Sequence, residues 1–436
     1  MTSPGAPLKN IFWLAGERVA RAGLTATVLG LVARHLEPGG FGRLNFAIAV
    51  VAIAAALANL GLEGLVVSEI IRRPGREGAV LGTAFRMRIG AGAFTAILLF
   101  AAIGLTPATR HDVAPIAIIS LGLLFQPAEV IDLWFQRHLQ SRRTVAVRLT
   151  AVAAGGFLKL GLVLANAGVA AFAWAQAAES GFFAVGLLFA YLRSPARPDR
   201  WTWDPGIARV FWKRGAPLAI AGVVVALSLR FDQILVTEFL GARVAGVYFA
   251  AARLTEVALF AGTATTLSLF PILAASHGKT PEAFRACMQS TFDVLTLLGW
   301  VVAGTFTLLG PWVIRMIYGP AYAGAGPILI WQGWACIFAL SAGARWQFIL
   351  LEAPTSVNLA AALLGIASQL SLAALIVPRL GAVGIAIAWF AGSVVSGFAT
   401  SFLFTSLRPC AGAQARGLLI PFAPSRWADM FRLFLV

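Results

Sequence analysis

About twelve apolar runs, each near the 17 to 25 residues that cross roughly 30 Å of hydrocarbon, constrain this chain more than any other feature. They fall near 11–33, 44–65, 81–105, 113–135, 147–165, 169–192, 216–239, 247–274, 287–310, 325–350, 357–377 and 381–404. In lipid every backbone N–H and C=O has to be satisfied within the protein, which leaves helices or a closed barrel. A barrel strand crosses in about 9 to 11 residues, so runs of this length predict helices. Composition agrees, because 12% of residues are charged where a soluble domain carries about 25%. The expectation is an all-α integral membrane protein with about 12 transmembrane helices.

The first run, Ile11 to Val32, contains Glu17, Arg18 and Arg21 and lacks a small-residue cleavage site. It reads as a retained first span and not as a leader. The longest polar interruption, Arg193 to Gly215, is broken by Pro195, Pro198 and Pro205. It predicts an N-terminal six-helix lobe over 1–192, a cytoplasmic linker over 193–215, and a C-terminal six-helix lobe over 216–405. The tail, 406–436, is expected to be cytoplasmic or interfacial. Its segments GLLIPF and WADMFRLFLV are apolar with Arg interspersed, which suits a short amphipathic helix at the interface.

A net charge of +16 would point to nucleic acid in a soluble protein. Here most of it is topology. With the N-terminus inside, Arg72, Arg73, Arg76, Arg142, Arg143, Arg209, Lys213 and Arg214 join other basic loop residues on the cytoplasmic side. That side leads the opposite one roughly threefold, as the positive-inside rule requires. Both termini are then cytoplasmic, and no nucleic-acid partner is expected. Cys287, Cys336 and Cys410 show no CxxC or metal spacing. Phosphate-loop, HExxH and GxSxG motifs are absent, and the outer loops are short. No cofactor, metal or enzymatic activity is expected, and no ATP bound by this chain drives movement.

The two halves repeat. Leu36 to Ala47, LEPGGFGRLNFA, aligns with LGARVAGVYFAA, Leu240 to Ala251, about 204 residues later. GVAAFAWA from Gly168 aligns with GAVGIAIA from Gly381, about 213 residues later. The first match joins an odd span to an even one, and the second sits at the fifth-to-sixth and eleventh-to-twelfth junctions. Six spans return the chain to its starting side, so the halves are expected to be parallel repeats with a substrate path between them.

Ionisable groups inside spans are costly and mark function by default. In the first span Arg18 and Arg21 share a helical face, and Glu17 lies four residues before Arg21. Arg86 and Arg88, near one end of span three, suit snorkelling to the surface. Lys159 and Glu179 lie about 10 and 16 Å from the short turn at Asn166 to Gly168, close enough to pair in a structural or an ion-coupling role. Arg230 and Asp232 are two apart and need separate partners, whereas Arg253 and Glu256 are three apart and suit a pair. Asp293 and Arg345 add one charge each. Guanidinium binds phosphate oxygens in bidentate fashion, so Arg18, Arg21, Arg230 and Arg253 are the candidate cationic set for a phosphate or pyrophosphate. Trp331, Trp334, Trp346, Tyr248 and Phe249 are either sugar-stacking, packing or interfacial aromatics.

ARHLEPGGFGRLNFA, Ala33 to Ala47, resembles the segment after the first span in polysaccharide-export flippases. Ala33, Arg34, Leu36, Pro38, Phe41 and Gly42 match that pattern, and Glu37 stands where the family usually has Gly. WFQRHLQSRR (Trp134 to Arg143), the seventh-to-eighth junction Arg230 to Leu254, and YGPAYAGAGPIL (Tyr318 to Leu329) are similar to further segments of that family, in the same order. The family belongs to the multidrug, oligosaccharidyl-lipid and polysaccharide exporter superfamily. The resemblance implies a MATE-like fold of two six-helix lobes around a central cationic cavity. It also implies translocation of a polyprenyl-pyrophosphate-linked oligosaccharide across the bacterial inner membrane, with that substrate, membrane lipids and polysaccharide-assembly proteins as partners. A drug or cation exporter of the same superfamily would need acidic residues to dominate its cavity, and lipid II flippases usually carry spans beyond twelve.

Overall fold

The computed structural model describes residues 6–105, 113–138, 140–195, 198, 200–354 and 356–427, with the side chains of 6–26, 103, 105, 141 and 228 outside the description. In order the helices are α1 (Ala6–Ala58), α2 (Glu63–Arg72), α3 (Glu77–Leu105), α4 (Val113–Ser120), α5 (Val130–Arg137), α6 (Ser141–Leu164) and α7 (Val169–Leu192). They continue with α8 (Pro205–His277), α9 (Pro281–Tyr318), α10 (Ala325–Glu352), α11 (Ser356–Val394), α12 (Thr400–Leu403) and α13 (Arg408–Leu418).

Among the described residues, ten helical stretches are long and apolar enough to cross a membrane. Of the helices, α1 has 53 residues and α8 has 73, while α11 runs on to Leu403 over 48. At 1.5 Å per residue each of these exceeds twice the roughly 30 Å of hydrocarbon, so none is a single crossing. One non-helical residue divides each at a junction expected from sequence: Glu37 (φ 54°, ψ 172°), Gly241 (φ 81°, ψ 167°) and Gly381 (φ 56°, ψ −134°). The fold is therefore an all-α multi-pass membrane protein with about twelve crossings, six in each sequence repeat.

The repeat is written in the backbone as well. Glu37 and Gly241 occupy aligned positions of the first matched segments, and both have positive φ with extended ψ. Asn166 (φ 52°) and Gly381 (φ 56°) mark the fifth-to-sixth and eleventh-to-twelfth junctions. Such angles suit glycine and are strained for a residue with a Cβ.

The chain forms two compact units, Met1–Ile234 and Leu235–Val436. The division falls inside α8 and not in the polar segment 193–215. The reason is packing: Ile207 and Phe211 of α8 share one core with Leu62, Val66, Trp134 and Phe135. Helix α8 also begins at Pro205, within the stretch expected to be linker. The remaining linker is strapped to α3. Thr202 N–H donates to Gly78 O at 3.3 Å, and Asp204 N–H donates to Thr83 Oγ1 at 3.0 Å. A Cβ at Gly82 would stand 2.5 Å from Thr202 O, so only glycine permits this approach. Asp204 caps α8: its Oδ1 accepts from Gly206 N–H at 2.8 Å and Ile207 N–H at 3.2 Å, and its Oδ2 accepts from Arg76 at 2.6 Å. The Ile207 and Gly206 amides, with Arg76, hold this carboxyl below the usual range.

In the second unit the described part of the tail, 406–427, packs inward, while most of the segment WADMFRLFLV lies outside the described residues. Helix α13 buries Cys410, Ala413 and Gln414 against a core containing Leu273, Phe292 and Phe348. A π-turn at Val395–Ala399 loosens the backbone ladder, and Gln414 Nε2 donates to Gly397 O there at 2.6 Å. The same amide group donates to Ser341 Oγ at 3.0 Å and accepts from Ser401 Oγ at 2.6 Å. One buried side chain thus ties α10, the π-turn and the tail together.

Candidate functional site

The first unit holds a polar node built on interrupted helices. The helix ending at Ala58 breaks at Leu60 (φ 54°) and Gly61 (φ 62°) before α2 begins. Between α4 and α5 the chain passes through two 3₁₀ turns, Leu121–Leu124 and Gln126–Glu129. At the end of the helix Ala55 O accepts from Asn59 N–H at 3.0 Å and also from Gln126 Nε2 at 3.2 Å. Helix α3 contributes Arg88, which is 1% exposed. Its Nη2 donates to Asn59 Oδ1, and Asn59 Nδ2 donates to Glu63 Oε1 at 2.7 Å. Arg88 Nη1 lies 3.8 Å from Glu129 Oε2. Arg148 Nη2 reaches Asp132 Oδ2 at 3.4 Å. Beside these groups opens a cavity of about 780 Å³, lined by Glu63, Ser68, Arg88, Glu129, Asp132 and Arg148 among others.

Sequence reasoning missed this node. Arg88 was expected to snorkel, whereas it is buried; Arg86 is the exposed member of the two. The available signal was the combination of Gly61 and Gly64 in span two with Pro127 in span four, since interrupted hydrophobic segments mark binding sites in transporters.

Of the residues singled out from sequence, Glu17, Arg18 and Arg21 lie outside the described side chains. Lys159 and Glu179 meet: Nζ is 2.7 Å from Oε2 and donates also to Gln176 Oε1 at 3.0 Å. Gly155, one turn before Lys159 on α6, leaves room for the carboxylate, because a Cβ there would be 2.8 Å from Glu179 Oε2. Arg230 Nη1 donates to Gln233 Oε1 at 3.2 Å, and Asp232 is buried. In the second unit Arg253 Nη1 pairs with Glu256 Oε2 at 2.8 Å. Arg345 is 2% exposed and donates to the hydroxyls of Thr400 at 2.8 Å and Ser401 at 3.4 Å. Asp293 is held by Arg426 of the tail and by Gln289 Nε2 at 2.8 Å. Tyr248 and Phe249 are fully buried, which makes them packing residues. Trp331 stacks edge-on with Phe390, and Trp334 with Trp300; Trp346 is 36% exposed. Among the described residues no group of three or more His, Cys, Asp or Glu is placed to hold a metal ion.

Interrupted spans, paired intramembrane charges and two six-helix repeats define a class by architecture, a multi-pass helical membrane protein of MATE-like fold. Solved structures agree. A multidrug-resistance MATE transporter in an inward-facing conformation superposes with a TM-score of 0.64 at 14% identity, covering 93% of this chain and 99% of that one. The lipid II flippase MurJ, inward closed, gives 0.71 at 11% identity, covering 95% and 96%. A transporter of the same superfamily from Pyrococcus furiosus, described as having a binding pocket of reversed polarity, gives 0.61 at 15% identity, covering 93% and 94%. A sequence search of curated proteins finds no match. The chain belongs to the polysaccharide biosynthesis protein family, whose model matches residues 31–327.

Proposed function

We propose that the protein is a flippase that moves a polyprenyl-pyrophosphate-linked oligosaccharide across the bacterial inner membrane by alternating access. The observation that carries this reading is the family match over 31–327 on a fold shared with a lipid II flippase. Both termini are cytoplasmic, consistent with the basic loops, and the lipid carrier stays in the bilayer. Arg18, Arg21, Arg230 and Arg253 hold the pyrophosphate, each supplying planar N–H pairs that match phosphate oxygens. Lys159 and Glu179 form either a structural clamp or the site where a coupling ion enters; no chemistry on the substrate is required of any residue. Polysaccharide-assembly proteins are the expected partners, and nucleic acid is not one.

A drug or cation exporter is the second reading, favoured by three carboxylates, Glu63, Glu129 and Asp132, in the cavity of the first unit. Two of them face arginines, which leaves little charge to attract a cation. Deleting the gene and measuring surface polysaccharide separates the two. Loss of polymer with accumulation of lipid-linked repeat units supports the flippase; normal polymer with raised drug sensitivity supports the exporter.

A further inference from the structure

We propose that the cavity of the first unit is a sugar subsite, taking a neutral, hydroxyl-rich ring of the substrate with Arg88 donating to one of its oxygens. The proposal rests on the flippase reading and assigns the sugar to residues outside the arginine set that holds the pyrophosphate.

Arg88 is the starting point. Its guanidinium is 1% exposed and is anchored through Nη2 on Asn59. Among the described residues, Nε and Nη1 have no hydrogen-bond acceptor. The Glu129 carboxylate faces Nη1 at 3.8 Å, an ion-pair distance too long for a hydrogen bond. Buried donors in native proteins are nearly always satisfied, so two such N–H groups on a side chain that lines a cavity call for an acceptor that enters beside it from outside the chain. The cavity, about 780 Å³, has the size of a small-molecule site.

Charge decides which acceptor. Glu63, Glu129 and Asp132 stand against Arg88 and Arg148. A phosphate would bring further negative charge to a wall where carboxylates already outnumber guanidinia, and like charges repel strongly where water is scarce. A metal or organic cation would face Arg88, whose position is fixed by burial. A neutral sugar avoids both penalties. Its hydroxyls donate to the carboxylates and accept from Arg88, and Gln136 offers both a donor and an acceptor. Val67, Ile71 and Leu133 supply apolar wall for the C–H faces of a ring.

The test uses the full-length protein in lipid nanodiscs. Ser68 lines the cavity, so Ser68→Cys in a Cys287→Ala background reports occupancy by its rate of maleimide labelling, since Cys336 and Cys410 are buried. Neutral hexoses and N-acetylhexosamines are expected to slow labelling at least about threefold, while inorganic pyrophosphate and sodium chloride do not. Arg88→Gln removes the guanidinium with its Nε and Nη1 donors and leaves only a shorter amide. Gly64→Trp fills the cavity from a position where a Cβ meets nothing within 4 Å, so it keeps the fold if Arg88→Gln does not. Both variants should abolish protection. Protection by pyrophosphate, or none by any sugar of the panel, overturns the proposal. In proteoliposomes both variants should slow flipping of the lipid-linked oligosaccharide about tenfold or more. If the wild type flips and both variants match it, the sugar subsite is wrong and the flippase reading stands. If the wild type does not flip, the flippase reading falls, and with it the assignment of the ring to that substrate.

Discussion

Replacing Glu37 by glycine should stabilise the protein, an unusual outcome for a change at a junction between spans. Glu37 has φ 54° and ψ 172°, close to a region that only glycine occupies freely, and holding another residue there costs about 1–3 kcal/mol. Its side chain is exposed, so little packing is lost on removal. Glycine gives back about 0.5–1 kcal/mol through the greater freedom of the unfolded chain. The net gain is therefore about 1 kcal/mol, or a rise of roughly 2–4 °C in Tm for a unit of this size. The assay is thermal unfolding in detergent with Glu37→Ala beside it. Alanine keeps a Cβ, retains the strain, and should show no such rise. The aligned position supplies the converse, since Gly241 has φ 81° and Gly241→Ala should lower Tm. A lower Tm for Glu37→Gly, or a neutral Gly241→Ala, would refute the reasoning.

Arg21→Ala and Arg230→Ala should each abolish export while the protein remains in the membrane; normal surface polysaccharide from both would remove the pyrophosphate role from the arginine set. Lys159→Glu and Glu179→Lys should each lose activity, and the double swap should restore part of it, because the two groups are 2.7 Å apart; failure of the swap in both export and Tm would leave the contact without functional weight. Asp204 has a carboxyl held below the usual range, so its contribution to docking the linker is full above the unfolded value, near pH 4. It is lost as pH falls through the lower folded value, and hydrogen exchange at the Gly206 and Ile207 amides should then lose its protection. At neutral pH Asp204→Asn should let trypsin cut at Arg200 faster than in the wild type, because the Arg76 contact is lost, and unchanged cutting would mean that the cap does not hold the strap.

Spans and their junctions were legible because hydrocarbon thickness fixes length and the repeat fixes spacing. Lys159 and Glu179 were legible for the same reason: two straight helices joined by the turn at Asn166 allow depth to be counted along the chain. That counting failed at Arg88. Breaks at Leu60–Gly61 and through the 3₁₀ turns after Ser120 shift neighbouring residues in ways a straight-helix count misses, and they bring Asn59, Glu129 and Arg88 together. Arg148 and Asp132 meet across α5 and α6, a contact that no spacing in the sequence marks. The inward docking of the tail was hidden too, because the acceptor of Gln414 is a backbone carbonyl of a π-turn, which no side-chain pattern announces.

Movement of a lipid-linked oligosaccharide between leaflets is tested by reconstitution of the purified protein. Purified protein in proteoliposomes would be given a fluorescent polyprenyl-pyrophosphate oligosaccharide in both leaflets, and protection from an external glycosidase or quencher followed in time. Protected substrate should become accessible at a rate set by wild-type protein and lost with Arg230→Ala. Equal rates in wild-type and protein-free vesicles, with a cationic drug transported instead, would contradict it.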